Sequence, residues 1–275
     1  VNVTRAIDDY LDALANARLG LHSPSILLPF LAFGLLQCAL VTLLAFWTSG
    51  PVAGFMPTVV AALGGDASLH YPTHFVLLPA AYRRLYLPLV ATVGFALWSR
   101  GVWSVVAHHE EATRVGPRSF RKTLPSLVVV GIVFVVVTVA AGRGLGLVAA
   151  KLPGGLVARA GTMGVIAVTA AAQALLVYAP VVLRLRGGGA LRALRASARY
   201  ALANFGATAL LVATVLLAHL PLDGMIANAD GVAGRFHPEA VYQLMIGSVV
   251  LETVTAYLLF AGAAGLALRE ERGMR

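Results

Sequence analysis

ILLPFLAFGLLQCALVTLLAFW, residues Ile26–Trp47, runs for 22 positions without a charge. A helix needs about 20 apolar residues, at ~1.5 Å rise each, to cross the hydrocarbon core of a bilayer, so this stretch is long enough to span. Five more runs follow: Leu85–Ala107, Leu124–Ala141, Ala160–Leu183, Ala201–Leu220 and Ala240–Leu268. With 59% hydrophobic residues and a mean hydropathy of +0.83, the 275-residue chain has more apolar surface than a soluble core of its size would use. The sequence therefore reads as an all-α polytopic membrane protein, a single integral membrane domain over residues 1–275. Six transmembrane helices are expected near 26–47, 85–107, 124–141, 160–183, 201–220 and 240–268, with short amphipathic interfacial helices between them.

Strands of a membrane barrel would alternate polar and apolar residues, and these runs do not. LVVVGIVFVVVTVAA (Leu127–Ala141) is β-branched enough to suggest buried strands, but the lengths of the runs favour helices in lipid. The longest polar connection, Thr48–Arg84, is itself half apolar, leaving no loop for a soluble catalytic domain. No enzymatic activity, catalytic set or cofactor is expected. Cys38 is the sole cysteine, which excludes an intramolecular disulfide and a cysteine-based metal cluster. A net charge of +9 suggests nucleic acid at first sight. The charges, however, occupy short segments beside the spans, where anionic lipid head groups explain them and no nucleic acid is needed. Lys122 and Lys151 are the only lysines among 21 basic residues, an arginine bias typical of a prokaryotic composition.

The positions of those arginines predict orientation. Arg114, Arg118, Arg121 and Lys122, then Arg184, Arg186, Arg192, Arg195 and Arg199, then Arg269, Arg272 and Arg275 fall on one side of a six-crossing chain, with Arg5 and Arg18. The other side holds Arg83, Arg84, Arg143, Lys151, Arg159 and Arg235. The positive-inside rule places the richer side, and both termini, in the cytoplasm, and so the chain in a prokaryotic inner membrane. Trp47, Tyr82, Tyr86, Trp98, Trp103 and Tyr200 are expected at span ends as interfacial aromatics. Val1–Leu21 is amphipathic, with Asp8, Asp9 and Asp12, so residues 1–22 are expected to form a cytoplasmic helix and not a cleaved signal.

Each pair of spans is preceded by a short amphipathic segment on the cytoplasmic side: Val3–Arg18, GPRSFRKTLPS (Gly116–Ser126) and GGGALRALRASARYALANFG (Gly187–Gly206). In the third, Arg192, Arg195 and Arg199 line one helical face at i, i+3 and i+7, as candidate contacts for lipid phosphates. The alternative is that these segments simply extend the membrane helices. The stretch Val177–Gly206 resembles a pattern in a group of six-helix prokaryotic membrane proteins, through Pro180, the glycines 187–189, Ala193-Leu194-Arg195-Ala196-Ser197 and Asn204. That group includes the membrane domain of certain glycerophosphodiester phosphodiesterases and several uncharacterised families. SFRKTLPSL (Ser119–Leu127) resembles the group's segment before the third span. The resemblance implies a fold and no activity, since no phosphodiesterase catalytic domain is present.

Glu252 stands near the middle of the last run, and intramembrane acids face a bundle interior or a water-filled path. Ser248, Glu252 and Thr255 form a stripe at i, i+4 and i+7; Thr162, Thr169 and Gln173 form another in the fourth run, and Arg100 lies in the second. Together Glu252, Ser248, Thr255, Gln173 and Arg100 are the candidate intramembrane polar site. They serve either a proton, ion or polar solute, or a structural tie in which Glu252 meets Thr, Gln or Arg100. His70 and His74, His219 and His237 gather on the outer side with Asp66, Asp223, Asp230 and Glu239, but Pro72 breaks the i, i+4 pair and no metal site is expected. Gly142–Gly146 fails the GxGxxG spacing. Small pairs Ala160/Gly164 and Ala261/Gly265 permit close helix approach. The expected function is a non-enzymatic subunit, a scaffold or accessory component of a larger membrane complex with lipid and protein partners. The alternative is a transporter or permease component moving a small polar solute or ion past Glu252.

Overall fold

The computed structural model describes residues 3–46, 73–110, 120–150, 164, 167–168 and 170–273. Among them all regular structure is helical: α1 (Val3–Gly20), α2 (Pro24–Phe46), α3 (Thr73–Leu89), a π-helical turn (Val90–Gly94), α4 (Phe95–Glu110), α5 (Phe120–Ala150), α6 (Ala179–Leu185), α7 (Ala190–Ala203), α8 (Phe205–Ala227), α9 (Ala229–Arg235) and α10 (Glu239–Gly273). Five of the described helical stretches are long and apolar enough to cross a membrane. The count is six if residues 170–185, bent by 119° from α7, form one span with it. The chain is a multi-pass α-helical membrane protein.

Boundaries differ from expectation where proline and arginine interrupt the pattern. The helix that carries the second apolar run begins at Thr73, ahead of Leu85, so Arg83 and Arg84 stand inside a helix that also tolerates Pro79 and Pro88. Pro88 offers no N–H to the carbonyl four residues back, and the next turn, Val90–Gly94, widens to π geometry. Thr92 Oγ1 donates to the Pro88 carbonyl at 2.7 Å, so the polar backbone is answered locally. The described part of the second basic segment, residues 120–126, is the first two turns of α5 itself and not a separate surface helix.

The third basic segment does form its own helix. Gly187 and Gly188 adopt φ of 62° and 97°, a left-handed conformation that side chains resist, and through this turn α7 leaves the preceding span at 119°. A straight extension of that span is thereby excluded. The first segment, α1, packs into the groove between α8 and α10. Ala13 and Ala17 are buried there, Tyr10 Oη meets Thr214 Oγ1 at 2.9 Å, and Tyr257 donates to the Ala17 carbonyl. The small pair expected in the last span works here: a Cβ on Gly265 would touch Asn16 of α1 at 3.4 Å. Arg269 closes the contact with Asp9 at 2.6 Å and Asp12 at 3.0 Å.

α10 is the central helix, packed on α1, α2, α3, α4, α8 and α9. Lipid tails are as apolar as leucine, so helix association in a bilayer rests on close packing and polar ties and gains little from apolar burial. Large rings accordingly sit on glycines. Phe30 lies over Gly101 and Phe33 over Gly94, and Phe33, Trp98 and Phe260 interlock with ring centroids 5.1–5.5 Å apart. Trp98 and Trp103 are buried in the bundle, and Tyr200 lies on the buried face of α7.

Gly131 of α5 faces the Ala91 carbonyl of the π-helical turn so closely that a Cβ there would overlap the oxygen. Backbone cannot swing aside as a side chain can. Gly131→Ala is expected to lower stability in detergent by about 1–3 kcal/mol, the usual cost of overpacking. Gly247→Ala, with open space around it, should leave the thermal midpoint unchanged.

Candidate functional site

Four polar side chains from three helices meet at mid-span. Tyr86 of α3 donates to Glu252 Oε1 of α10 at 2.7 Å, and Tyr82, one turn earlier, donates to Gln37 Oε1 of α2. Gln37 is fully buried, and its Nε2 lies beside the Glu252 carboxyl without reaching hydrogen-bond geometry. The registers of the three helices are fixed by packing: Gly34 of α2 lies under Thr253, and Phe46 meets Phe75 with ring centroids 6.0 Å apart. A carboxylate at this depth finds no bulk water, so the protein must supply its partners. The Tyr86 hydroxyl answers it, and among the described residues no cationic side chain pairs with it.

The expected site assembles only in part. Glu252 is half-buried and tied, but to Tyr86 and not to Thr, Gln173 or Arg100. Thr255 is buried on the side of α10 that faces α8, where its hydroxyl meets His219 Nε2 at 3.0 Å and also donates to the Leu251 carbonyl. Ser248 is half-buried with no hydrogen bond among the described residues. Gln173 keeps a buried Oε1 without a hydrogen-bond partner among the described residues. Arg100 is exposed, with its guanidinium 5.8 Å from the Phe120 ring centroid. It stands 14 residues beyond Tyr86, roughly 21 Å along the helix, so it cannot pair with Glu252. Thr162, Thr169 and His70 lie outside the described residues. Among the described residues no three His, Cys, Asp or Glu side chains converge on one point.

Sequence reading missed Gln37, Tyr82, Tyr86 and His219 as partners. Gln37 did carry a signal, as the one amide in the first apolar run. The tyrosines did not, since a tyrosine near a span end reads equally well as an interfacial anchor.

A second polar cluster latches α7. Arg192, Arg195 and Arg199 are all exposed, while Ala193, Ser197, Tyr200 and Ala201 form the buried face. Ser197 donates to the Leu175 carbonyl, and Tyr200 donates to Glu271 at the end of α10. Glu271 also takes Arg186, with Nε and Nη2 both at 2.8 Å, and Asn204 Nδ2 donates to Glu270 at 2.7 Å. The acids at the end of α10 thus position the helix, and the arginine stripe is left facing outward.

No family model, curated protein or solved structure matches the chain.

Helix-to-helix hydrogen bonds in bilayers average ~0.6 kcal/mol and reach about 1.7. Tyr86→Phe should lower the detergent unfolding free energy within that range, followed by buried-tryptophan fluorescence, whereas Ser248→Ala should not change it. Glu271→Ala removes the acceptor for both Arg186 and Tyr200. Hydrogen exchange over residues 190–203 should then rise at least tenfold, with exchange in α2 unaffected.

Proposed function

We propose that the chain is a non-enzymatic integral membrane subunit, a scaffold or accessory component of a larger complex in a prokaryotic inner membrane, with both termini cytoplasmic. The observation that carries this reading is the use made of Glu252. It is held by a tyrosine at the junction of α2, α3 and α10, which is how an acid joins helices together. The exposed stripe of Arg192, Arg195 and Arg199 suits anionic lipid phosphates at the membrane surface, and orientation by the positive-inside rule puts that surface in the cytoplasm. The alternative, a transporter or permease component with a path through Glu252, Gln173 and Arg100, draws no support from the distance between Arg100 and Glu252.

The two readings part in a reconstituted system. Wild-type protein in liposomes with an internal pH dye is expected to pass no protons under a pH gradient, and Glu252→Gln should behave identically. A flux present in wild type and abolished in Glu252→Gln would sink the scaffold reading. Extraction from native membranes in mild detergent, with mass spectrometry of the intact assembly, should retain a second kind of chain at fixed stoichiometry.

A further inference from the structure

Arg83 and Arg84 occupy a place that the rest of the molecule makes costly. Both are exposed, in the first half of the 36-residue helical stretch Thr73–His108, and among the described residues neither makes an ion pair or hydrogen bond. Several other arginines have partners: Arg186 meets Glu271, Arg269 meets Asp9 and Asp12, and Arg100 and Arg184 lie over the rings of Phe120 and Trp103, while the exposed Arg192, Arg195 and Arg199 lie on α7, outside the long apolar helices. Neighbouring contacts fix the depth of the pair. Tyr82, adjacent in sequence, bonds Gln37 in the middle of α2. Phe75, which packs on Phe46 at the end of α2, precedes Arg83 by eight residues, about 12 Å along the helix. A stem of three methylenes is shorter than that, so neither guanidinium can simply snorkel out past the end of α2.

The chain carries the complementary charge at the same level. Asp223 of α8 is also exposed, also inside a candidate span, and also without an ion pair or hydrogen bond among the described residues. His219, one turn before it, bonds Thr255, which sets Asp223 level with Leu251 and Glu252 of α10. Tyr86, which bonds Glu252 at that level, is one turn from Arg83. The arginines and Asp223 thus lie within about one helical turn of depth, on α3 and α8, which both border α10 and α9.

We propose that a second copy of this chain covers this face. In a two-fold dimer, Arg83 and Arg84 of each protomer meet Asp223 of the other. An isologous interface must be self-complementary, with each patch supplying what its partner lacks, and a patch bearing two cations and an anion at one depth has that property. Guanidinium and carboxylate are a strong pair once out of water, and intramembrane charges pair or line cavities. The proposal goes beyond the scaffold reading and does not depend on it: a dimer can form whether or not a different subunit also binds.

The test is trans rescue in lipid nanodiscs, counting protomers by native mass spectrometry and by single-molecule photobleaching. Wild type should be dimeric. Arg83→Asp with Arg84→Asp should be monomeric, and so should Asp223→Arg, because each then faces like charge. Co-expressing the two variants with different tags should restore dimers that contain one of each. A monomeric wild type overturns the proposal, as does failure of the mixture to pair while each variant alone keeps the wild-type melting curve. Should either variant fail to fold, Arg84→Cys with Asp223→Cys in native membranes gives an independent reading. A disulfide dimer supports the proposal. A cross-link within one chain shows an internal Arg–Asp contact and overturns it, as does capture only of a different chain or of lipid.

Discussion

An acid at the middle of α10 has no water to turn to, and the arrangement of α2 and α3 around it follows from that. An ionised side chain such as Asp at the centre of a membrane helix costs roughly 2.5–3.5 kcal/mol on insertion scales, against ~0.6–1.7 for one interhelical hydrogen bond. Tyr86 alone would not offset the charged form of Glu252. The Gln37 amide beside the carboxyl, Tyr82 holding that amide, and the tight contact of Gly34 under Thr253 all belong to the same solution. Each fixes the register of one helix against another. In a bilayer, where apolar surfaces gain nothing by meeting one another, such polar junctions and the glycine contacts beneath Phe30 and Phe33 decide which helices are neighbours.

The sequence shows local periodicity and charge well, and long-range pairing badly. Apolar runs and an acid in the last of them are visible directly, as is the glycine turn that lets α7 leave the preceding span. The start of α3 is hidden because Pro79, Arg83, Arg84 and Pro88 all look like punctuation between spans. In the fold, Pro88 is accommodated by a π-helical turn and a threonine hydroxyl, a remedy that no single residue announces. The tyrosines of the Glu252 junction are hidden for another reason. Their role depends on α2 and α10, which are more than 40 and 160 positions away in sequence. Likewise α1 shows its amphipathic stripe, but not that the stripe fits a groove between α8 and α10.

Charge is divided by function at the end of the bundle that carries α1 and α7. Several acids there are tied to partners: Asp9 and Asp12 to Arg269, Glu271 to Arg186 and Tyr200, Glu270 to Asn204. Arginines of α7 remain outside. Asp8 and Asp12 of α1 also stay exposed, so the outward arginine stripe is a property of α7 and not of the whole end of the bundle.

The docking of α1 also sets a schedule for assembly. Its partners lie on the last hairpin, and the Arg269–Asp9 contact closes a separation of 260 positions. During synthesis α1 emerges well before α8 and α10 exist, and its apolar stripe stays without a seat until the final span is in place. Contacts of such long sequence separation form late and slowly. Although made before them, α1 therefore settles only after α8 and α10, and a ribosome stalled before α10 would leave an inserted but unclasped protein whose amphipathic α1 is open to chaperones and proteases.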